Sequence, residues 1–200
     1  MTAEPMDSPV EDHVVALTDD PALGSVVSEH GPVSIEPAAD LYERLVVSLV
    51  RQQVSMDAAD AIEGRLFDRF EVTPDAMLAA DAAALHDAGL SEAKVEYVKA
   101  TARAFQEREW THDYFAGMAD DAVADEVTEV RGVGPWTAKM FLMFGLGRED
   151  VFPVEDLGIR KGMQAVFDEE LTRAEMRDRA TEWAPHRSYA SLYLWRAVEG

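Results

Sequence analysis

The second half of the chain contains residues whose types and spacing suit anion binding and catalysis. They are two glycines, a tryptophan and an aspartate. Gly132 and Gly134 flank a single valine, Pro135 and Trp136 follow directly, and Asp156 comes later in the stretch VEDLGIRK. Glycine lets another backbone or a ligand approach closely. Successive main-chain N–H groups in such a turn, with the positive end of a helix beginning at Pro135, make an anion-binding concavity. The spacing alone fits an ordinary helix–helix turn equally well.

Asp156 and Trp136 each allow two interpretations from their neighbours in the sequence. Asp156 precedes a helical segment and could be its N-cap. A carboxylate of this kind could also stabilise positive charge on a sugar or orient a water molecule, and the two roles are compatible. Trp136 presents an electron-rich face that attracts cations. It could instead be a core aromatic residue.

Helices with short connections must position these residues, because apolar residues recur at helical spacing and no segment alternates like a strand. Leu41, Leu45 and Leu49 mark one such helix. A threonine cap and Pro74 predict a single helix over 73–89, and Pro135 opens another that continues to residue 147. We therefore predict an all-α fold of about ten helices.

Composition excludes several classes of site. The chain has 200 residues, of which 48% are hydrophobic and 28% charged, as expected of a globular protein. It contains no cysteine, so we expect no disulfides, no thiolate zinc site and no cysteine-held iron–sulfur cluster. No segment is apolar over the ~20 residues that a membrane helix needs. The N-terminus lacks the pattern of a signal peptide, so we expect a cytoplasmic protein without a membrane partner.

The net charge of −21 also has two interpretations. Few basic residues argue against binding phosphates, whereas acidic residues scattered along the chain suggest adaptation to high salt. We favour the second, halophilic interpretation. Residues 131–161 hold five basic and four acidic residues, a net charge of +1. If any segment meets a phosphate, this one is the best candidate.

The wider sequence resembles the helix-hairpin-helix, Gly/Pro-rich-loop, Asp (HhH-GPD) superfamily of DNA glycosylases. The matching pieces are VRGVGPWTAKM, FGLGREDVFPVED and Asp156 in EDLGIRK, with LVRQQVSMDAADAI and GLSEAKVEYVKATA upstream and RSYASLYLWR near the C-terminus. The resemblance extends over about residues 20–198 and implies a two-lobed helical bundle with a cleft between the lobes. It predicts lobe one at about 40–135 and lobe two at about 14–39 plus 136–200, within a single domain over 14–200. We expect residues 1–13 to be a disordered acidic tail.

Details of the resemblance indicate the type of enzyme. Members of the superfamily that also cut the strand carry a Schiff-base lysine two residues after the second hairpin glycine, where this chain has Trp136. In having Trp136 at this position and no cysteine, the chain resembles the alkylbase (DNA-3-methyladenine glycosylase II) type. That type is monofunctional and hydrolyses the N-glycosidic bond of bases such as 3-methyladenine and 7-methylguanine. A glycosylase for oxidised or mismatched bases and a non-catalytic DNA-binding module are the alternatives.

The resemblance also implies roles for individual residues. Asp156 would be catalytic, Trp136, Met140 and Leu157 would line the base pocket, and Gln53 would enter the base stack, with Gln52 beside it. The hairpin residues Gly132, Val133, Gly134 and Thr137 would contact DNA. A sodium or potassium ion could bind the main-chain carbonyls of Thr128, Val130 and Val133, and no other cofactor is expected. The expected partner is double-stranded DNA with damaged bases, bound by a monomer; plain helix capping is the alternative for Gln52 and Gln53.

Overall fold

Helices make up the secondary structure of the computed structural model, which describes residues 9–199. No strand occurs among them, and this confirms the predicted all-α class. The α-helices in this range are α1 (Pro9–Thr18), α2 (Gly24–His30), α3 (Leu41–Arg51), α4 (Met56–Arg69), α5 (Pro74–Ala79), α6 (Ala82–Asp87), α7 (Glu92–Arg108), α8 (His112–Phe115), α9 (Asp120–Thr128), α10 (Pro135–Met140), α11 (Leu157–Phe167), α12 (Arg173–Arg179) and α13 (Arg187–Glu199). A π-helical turn, Phe141–Gly145, follows α10, and a 3₁₀ turn, Ala180–Trp183, follows α12. None of the described helices is both long and apolar enough to span a membrane.

Side-chain caps set the start of several helices. The side chain of Ser55 accepts a hydrogen bond from Ala58 N at the start of α4. Thr172 and Glu175 form a reciprocal capping box at the start of α12. Each cap satisfies main-chain N–H groups that have no partner within the helix. Because these bonds span only three residues, the local sequence is enough to place the helix starts.

The single helix predicted over 73–89 is two helices. The side chain of Asp81 accepts from the main-chain N–H groups of Ala83 and Ala84, and Ala80 before it is extended at ψ 137°. Aspartate side chains compete with the helix for backbone donors, which ends α5 and starts α6.

The tail predicted over 1–13 is partly helical. Residues 1–8 lie outside the described range, but residues 9–13 belong to α1. His13 is fully buried, and its ring stacks on that of Tyr189 with centroids 3.8 Å apart. Packing against a residue far along the chain stabilises this segment, so its polar composition did not predict the helix.

The chain divides into two compact units. The terminal unit combines Met1–Ile35 with Arg148–Gly200, and the central unit is Glu36–Gly147. The boundary between Ile35 and Glu36 is close to the predicted boundary near residue 40. The other boundary follows Gly147, whereas the prediction placed it near residue 135. The reason is that α10 and the π-helical turn pack within the central unit, where Gly145 O accepts from Ala38 N at 3.0 Å.

Each unit has its own hydrophobic core. In the terminal unit, α11 and α13 approach closely, since a Cβ at Gly162 would overlap the main-chain carbonyl of Leu194. In the central unit, edge-to-face or tilted aromatic contacts run from Tyr42 through Phe105, Trp110 and Phe115 to Phe141. Such aromatic pairs add to the energy of burial in the central unit.

Candidate active site

The turn between α9 and α10 requires glycine at position 132. Gly132 has φ 94°, a value that side-chain-bearing residues rarely adopt. A Cβ there would also overlap the ring of Tyr97 from α7. Val133 N donates to Val130 O at 3.0 Å and closes the turn. The hairpin is therefore shaped by both its backbone and its contact with α7.

Gly134 differs from Gly132. Its φ of −98° suits any residue, and a Cβ there would meet no described atom within 4 Å. The protein itself makes no demand for glycine at this position. The next residue, Pro135, opens α10, so the first N–H groups of that helix lie at the hairpin.

The side chain of Gln52 connects the end of α3 to the hairpin. Its Nε2 donates to Gly132 O at 2.9 Å and to Thr137 Oγ1 at 2.8 Å. Thr137 is buried at 1% exposure. Both side chains, which we expected at a DNA surface, make these contacts within the protein, and through them the structure brings three predicted site residues together.

Gln53 follows in a left-handed backbone conformation. Its φ is 57° and the residue is exposed. Only a few per cent of non-glycine residues have positive φ, and such positions often carry function. The exposed apolar side chains of Val54 and Met56 lie next to it, at 38% and 58% exposure.

Two cations brace the end of α3 before this loop. Lys94 Nζ donates to Val50 O at 2.6 Å, and burial lowers the pKa of Lys94. Arg51 pairs with Glu63 through two hydrogen bonds of 2.7 and 3.1 Å, which raise the pKa of the guanidinium. The loop that carries Gln53 therefore starts from a fixed point.

The predicted base-pocket residues differ in exposure. Trp136 is half-buried in the first turn of α10, and Met140, one turn later, is buried in the central unit at 4% exposure. Leu157 lies in the terminal unit and is 57% exposed.

Asp156 is the N-cap of α11. Its Oδ1 accepts from Ile159 N at 2.9 Å, and the residue is half-buried. The same oxygen accepts a second bond from Trp195 Nε1, also 2.9 Å long. The capping interpretation is thus correct, and it leaves a catalytic role open. Nothing local in the sequence indicates this contact between Trp195 and Asp156.

The loop before Asp156 is fastened to the start of α13. Ser188 Oγ donates to Arg148 O at 2.7 Å and accepts from Val151 N at 2.9 Å. Arg187 donates to both carboxylate oxygens of Asp150, at 2.6 and 2.9 Å, and this pairing holds the pKa of Asp150 below its ordinary value.

Tyr189 extends the same attachment. Its hydroxyl donates to Glu149 Oε1 at 2.9 Å. Burial, with a smaller contribution from Glu149, raises the pKa of Tyr189 to about 12, so the phenol stays protonated at neutral pH. The sequence RSY at 187–189 therefore explains how the loop reaches Asp156 in a defined conformation.

The expected ion site involves main-chain atoms of the hairpin. Thr128 ends α9, and Val130 and Val133 are both buried in the turn that follows. Val130 O already accepts from Val133 N, and a carbonyl oxygen can make a second contact. Over residues 9–199, no group of three or more histidine and acidic side chains could hold a metal ion.

Comparisons with known proteins agree with this architecture. Residues 46–186 match the family described as the HhH-GPD superfamily base excision DNA repair protein. The DNA-3-methyladenine glycosylase of Saccharomyces cerevisiae is 35% identical over 153 residues, covering 70% of this chain and 52% of the yeast protein. This chain therefore spans about half the length of that relative.

Two solved structures are also similar. The Schizosaccharomyces pombe 3-methyladenine DNA glycosylase in complex with abasic DNA has a TM-score of 0.85 and 26% identity, covering 92% of this chain and 95% of that one. The DNA-3-methyladenine glycosidase of Bacillus halodurans has a TM-score of 0.77 and 32% identity, covering 96% and 89%.

Proposed function

Because this chain belongs to the HhH-GPD superfamily of base excision DNA repair proteins, we propose that it is a monofunctional DNA glycosylase that removes alkylated bases. The observation that carries the proposal is the half-buried carboxylate of Asp156, held on one oxygen by two N–H donors at the end of the Gly/Pro-rich loop. Trp136 at the position of the family's Schiff-base lysine supports the absence of a strand-cutting step.

The chemistry of the substrate explains why so few groups are needed. A base alkylated at N3 or N7 is cationic and already a good leaving group, so it needs little help from a general acid. Once the nucleotide is flipped out of the duplex, the indole of Trp136 stacks on the base, and the cation–π attraction reaches about 2 kcal/mol when desolvated. Asp156 stabilises the oxocarbenium-like sugar and orients the attacking water, as carboxylates do in glycoside hydrolysis.

Main-chain amides bind the DNA backbone in this proposal. The N–H groups at 132–134 and the start of α10 contact a phosphate, and the open space beside Gly134 leaves room for it. Gln53 fills the space that the flipped base leaves. A grip of this kind needs few lysines and arginines, which suits a halophilic protein with a net charge of −21.

The remaining features of the proposal concern the hairpin ion, the compartment and the assembly. A sodium or potassium ion held by Thr128, Val130 and Val133 carbonyls would add positive charge beside the phosphate, since main-chain carbonyls can replace the hydration shell of such ions. The reaction needs no other cofactor. The protein acts as a monomer on double-stranded DNA in the cytoplasm.

Base release from methylated DNA tests the proposal. In molar KCl, the wild-type protein is expected to release 3-methyladenine or 7-methylguanine and to leave abasic sites that break only on alkali treatment. Asp156→Asn should bind DNA and lose base release by about a hundredfold or more. It should fold, because asparagine caps helices as well as aspartate does.

Asp81→Asn is the matched control, since Asp81 caps α6 with the same geometry on an exposed surface. This variant should act like the wild type. Base release by Asp156→Asn at the wild-type rate would contradict the role of Asp156, and strand breaks without alkali would contradict monofunctionality. DNA binding without any base release would identify a non-catalytic module.

A further inference from the structure

We propose that Trp195 is a positioning residue for Asp156 and that Gly158 is the gap through which its indole reaches the carboxylate. The inference rests on the proposed function, because it assigns roles around the carboxylate that we take to be catalytic. It starts from the bond between Trp195 Nε1 and Asp156 Oδ1, 2.9 Å long.

Gly158 makes this bond possible by steric means. It is the second residue of α11, and a Cβ there would lie 2.6 Å from Trp195 Cδ1, 2.8 Å from Trp195 Nε1 and 3.0 Å from Asp156 Oδ1. Real Cβ atoms essentially never approach other atoms closer than 3.0 Å. Any other L-residue at position 158 therefore displaces the indole, the carboxylate or both.

The bond also orients the carboxylate. Oδ1 accepts two hydrogen bonds. The bond from Ile159 N is the ordinary bond of an N-cap residue, and the bond from the Trp195 indole comes from α13. The cap fixes the carboxylate to its own helix, and the indole fixes it against the second helix. A hydrogen bond to an ionised group is about twice as strong as one between neutral groups. The two bonds to Oδ1 therefore define the orientation of the carboxylate that the proposed reaction uses.

A second tryptophan in the same unit provides an internal comparison. Trp183 Nε1 donates to Asp20 Oδ2 at 2.8 Å, and Asp20 Oδ1 accepts from the main-chain N–H groups of Ala22 and Leu23 in the turn before α2. This pair is also an indole bonded to an aspartate that accepts main-chain N–H groups, but Asp20 has no role in the proposed reaction. Loss of either indole bond should therefore affect folding to a similar degree. Only loss of the bond between Trp195 and Asp156 should slow base release.

Single-turnover base release by three variants tests the inference, with two control variants beside them. Trp195→Phe keeps an aromatic ring and removes the donor, and its rate should fall about tenfold while its affinity for abasic-site DNA stays within about twofold of wild type. Gly158→Ala should lower the rate by a similar factor. Both changes remove the same bond between Trp195 and Asp156. The rate of the double variant should therefore lie within about twofold of the slower single variant.

The controls separate positioning from general destabilisation. Trp183→Phe removes the comparable bond. Gly64→Ala adds a methyl group at a position where, among the described residues, no atom beyond its own helix and chain neighbours lies within 4 Å. Both should release base at rates within about twofold of wild type. Thermal unfolding of every variant checks that the folded state is populated.

The indole N–H resonance gives a readout apart from activity. The Trp195 signal, identified by its absence in Trp195→Phe, should shift in Gly158→Ala and stay in place in Gly64→Ala. A wild-type rate in Trp195→Phe, rate losses in the double variant that multiply, or an unmoved resonance in Gly158→Ala would each overturn the inference. A wild-type protein that releases no base would instead overturn the proposed function, and the role of Trp195 with it.

Discussion

At the scale of single residues, Gln52 joins the loop that carries Gln53 to the hairpin. Its amide supplies hydrogen bonds to Gly132 O and to the buried hydroxyl of Thr137. The neighbouring Gln53 has a backbone conformation, φ 57°, that costs energy. Such a conformation persists only where the surrounding structure determines it, and the adjacent Gln52 is fixed by its two bonds.

Gln52→Ala should therefore impair base flipping more than DNA binding. We expect the free energy of unfolding to fall by about 1–2 kcal/mol and single-turnover base release to fall about tenfold, since a loosened loop holds the flipped state less well. Fluorescence of 2-aminopurine beside the lesion measures flipping directly.

Gln106→Ala is the control for this change, because Gln106 is exposed and its amide donates to Asp75 in a part of the central unit with no assigned role. It should leave both quantities unchanged. A Gln52→Ala protein with normal flipping amplitude and normal rate would show that the contact only stabilises the fold.

At the scale of elements, the hairpin depends on how α7 packs against it. Gly132 has φ 94°, and its missing Cβ makes room for the Tyr97 ring. We propose that the main-chain amides of the hairpin bind phosphate. Their position depends on the contact with Tyr97 of α7, which the sequence of the hairpin alone does not predict.

Gly132→Ala should lower the free energy of unfolding by about 1–3 kcal/mol and weaken DNA binding at least about tenfold. Denaturant unfolding and fluorescence anisotropy with an abasic-site duplex measure the two effects. Gly31→Ala separates the causes, because Gly31 also has positive φ, at 67°, but its Cβ would meet no atom of the described residues within 4 Å. It should lose stability and keep its DNA affinity. Equal affinity losses in both variants would contradict the importance of the hairpin.

At the scale of the whole molecule, the net charge of −21 opposes folding at low salt. Because mobile ions screen repulsion between exposed charges, we expect the unfolding midpoint to rise steadily between about 0.1 and 2 M KCl. DNA affinity should fall less steeply with salt than for proteins that make 6–10 phosphate contacts through lysine and arginine. Thermal unfolding and binding titrations over the same salt range measure both trends.

Neutralising exposed carboxylates checks the cause. A variant with Asp68→Asn, Glu71→Gln and Asp87→Asn changes three exposed side chains of the central unit. It should be more stable than wild type at low salt and should gain less from added KCl. Stability that is independent of salt in the wild type would contradict the halophilic interpretation.

The sequence by itself determined the helical class and several helix starts, and it predicted which residues form the site. A cap such as Ser55 to Ala58 or Asp156 to Ile159 joins residues three apart, so local composition decides whether it forms. The motif around the hairpin and Asp156 likewise lies in contiguous sequence, and it indicated the superfamily that the comparisons confirm.

Tertiary structure alone decided how the site residues are held. Trp195 and Asp156 are 39 positions apart, and Gln52 lies 80 positions from Gly132 and 85 from Thr137. The burial of His13 against Tyr189, far along the chain, is of the same kind. No local pattern encodes such pairs, because their distances depend on how closely whole helices pack, and that packing is a property of the entire core.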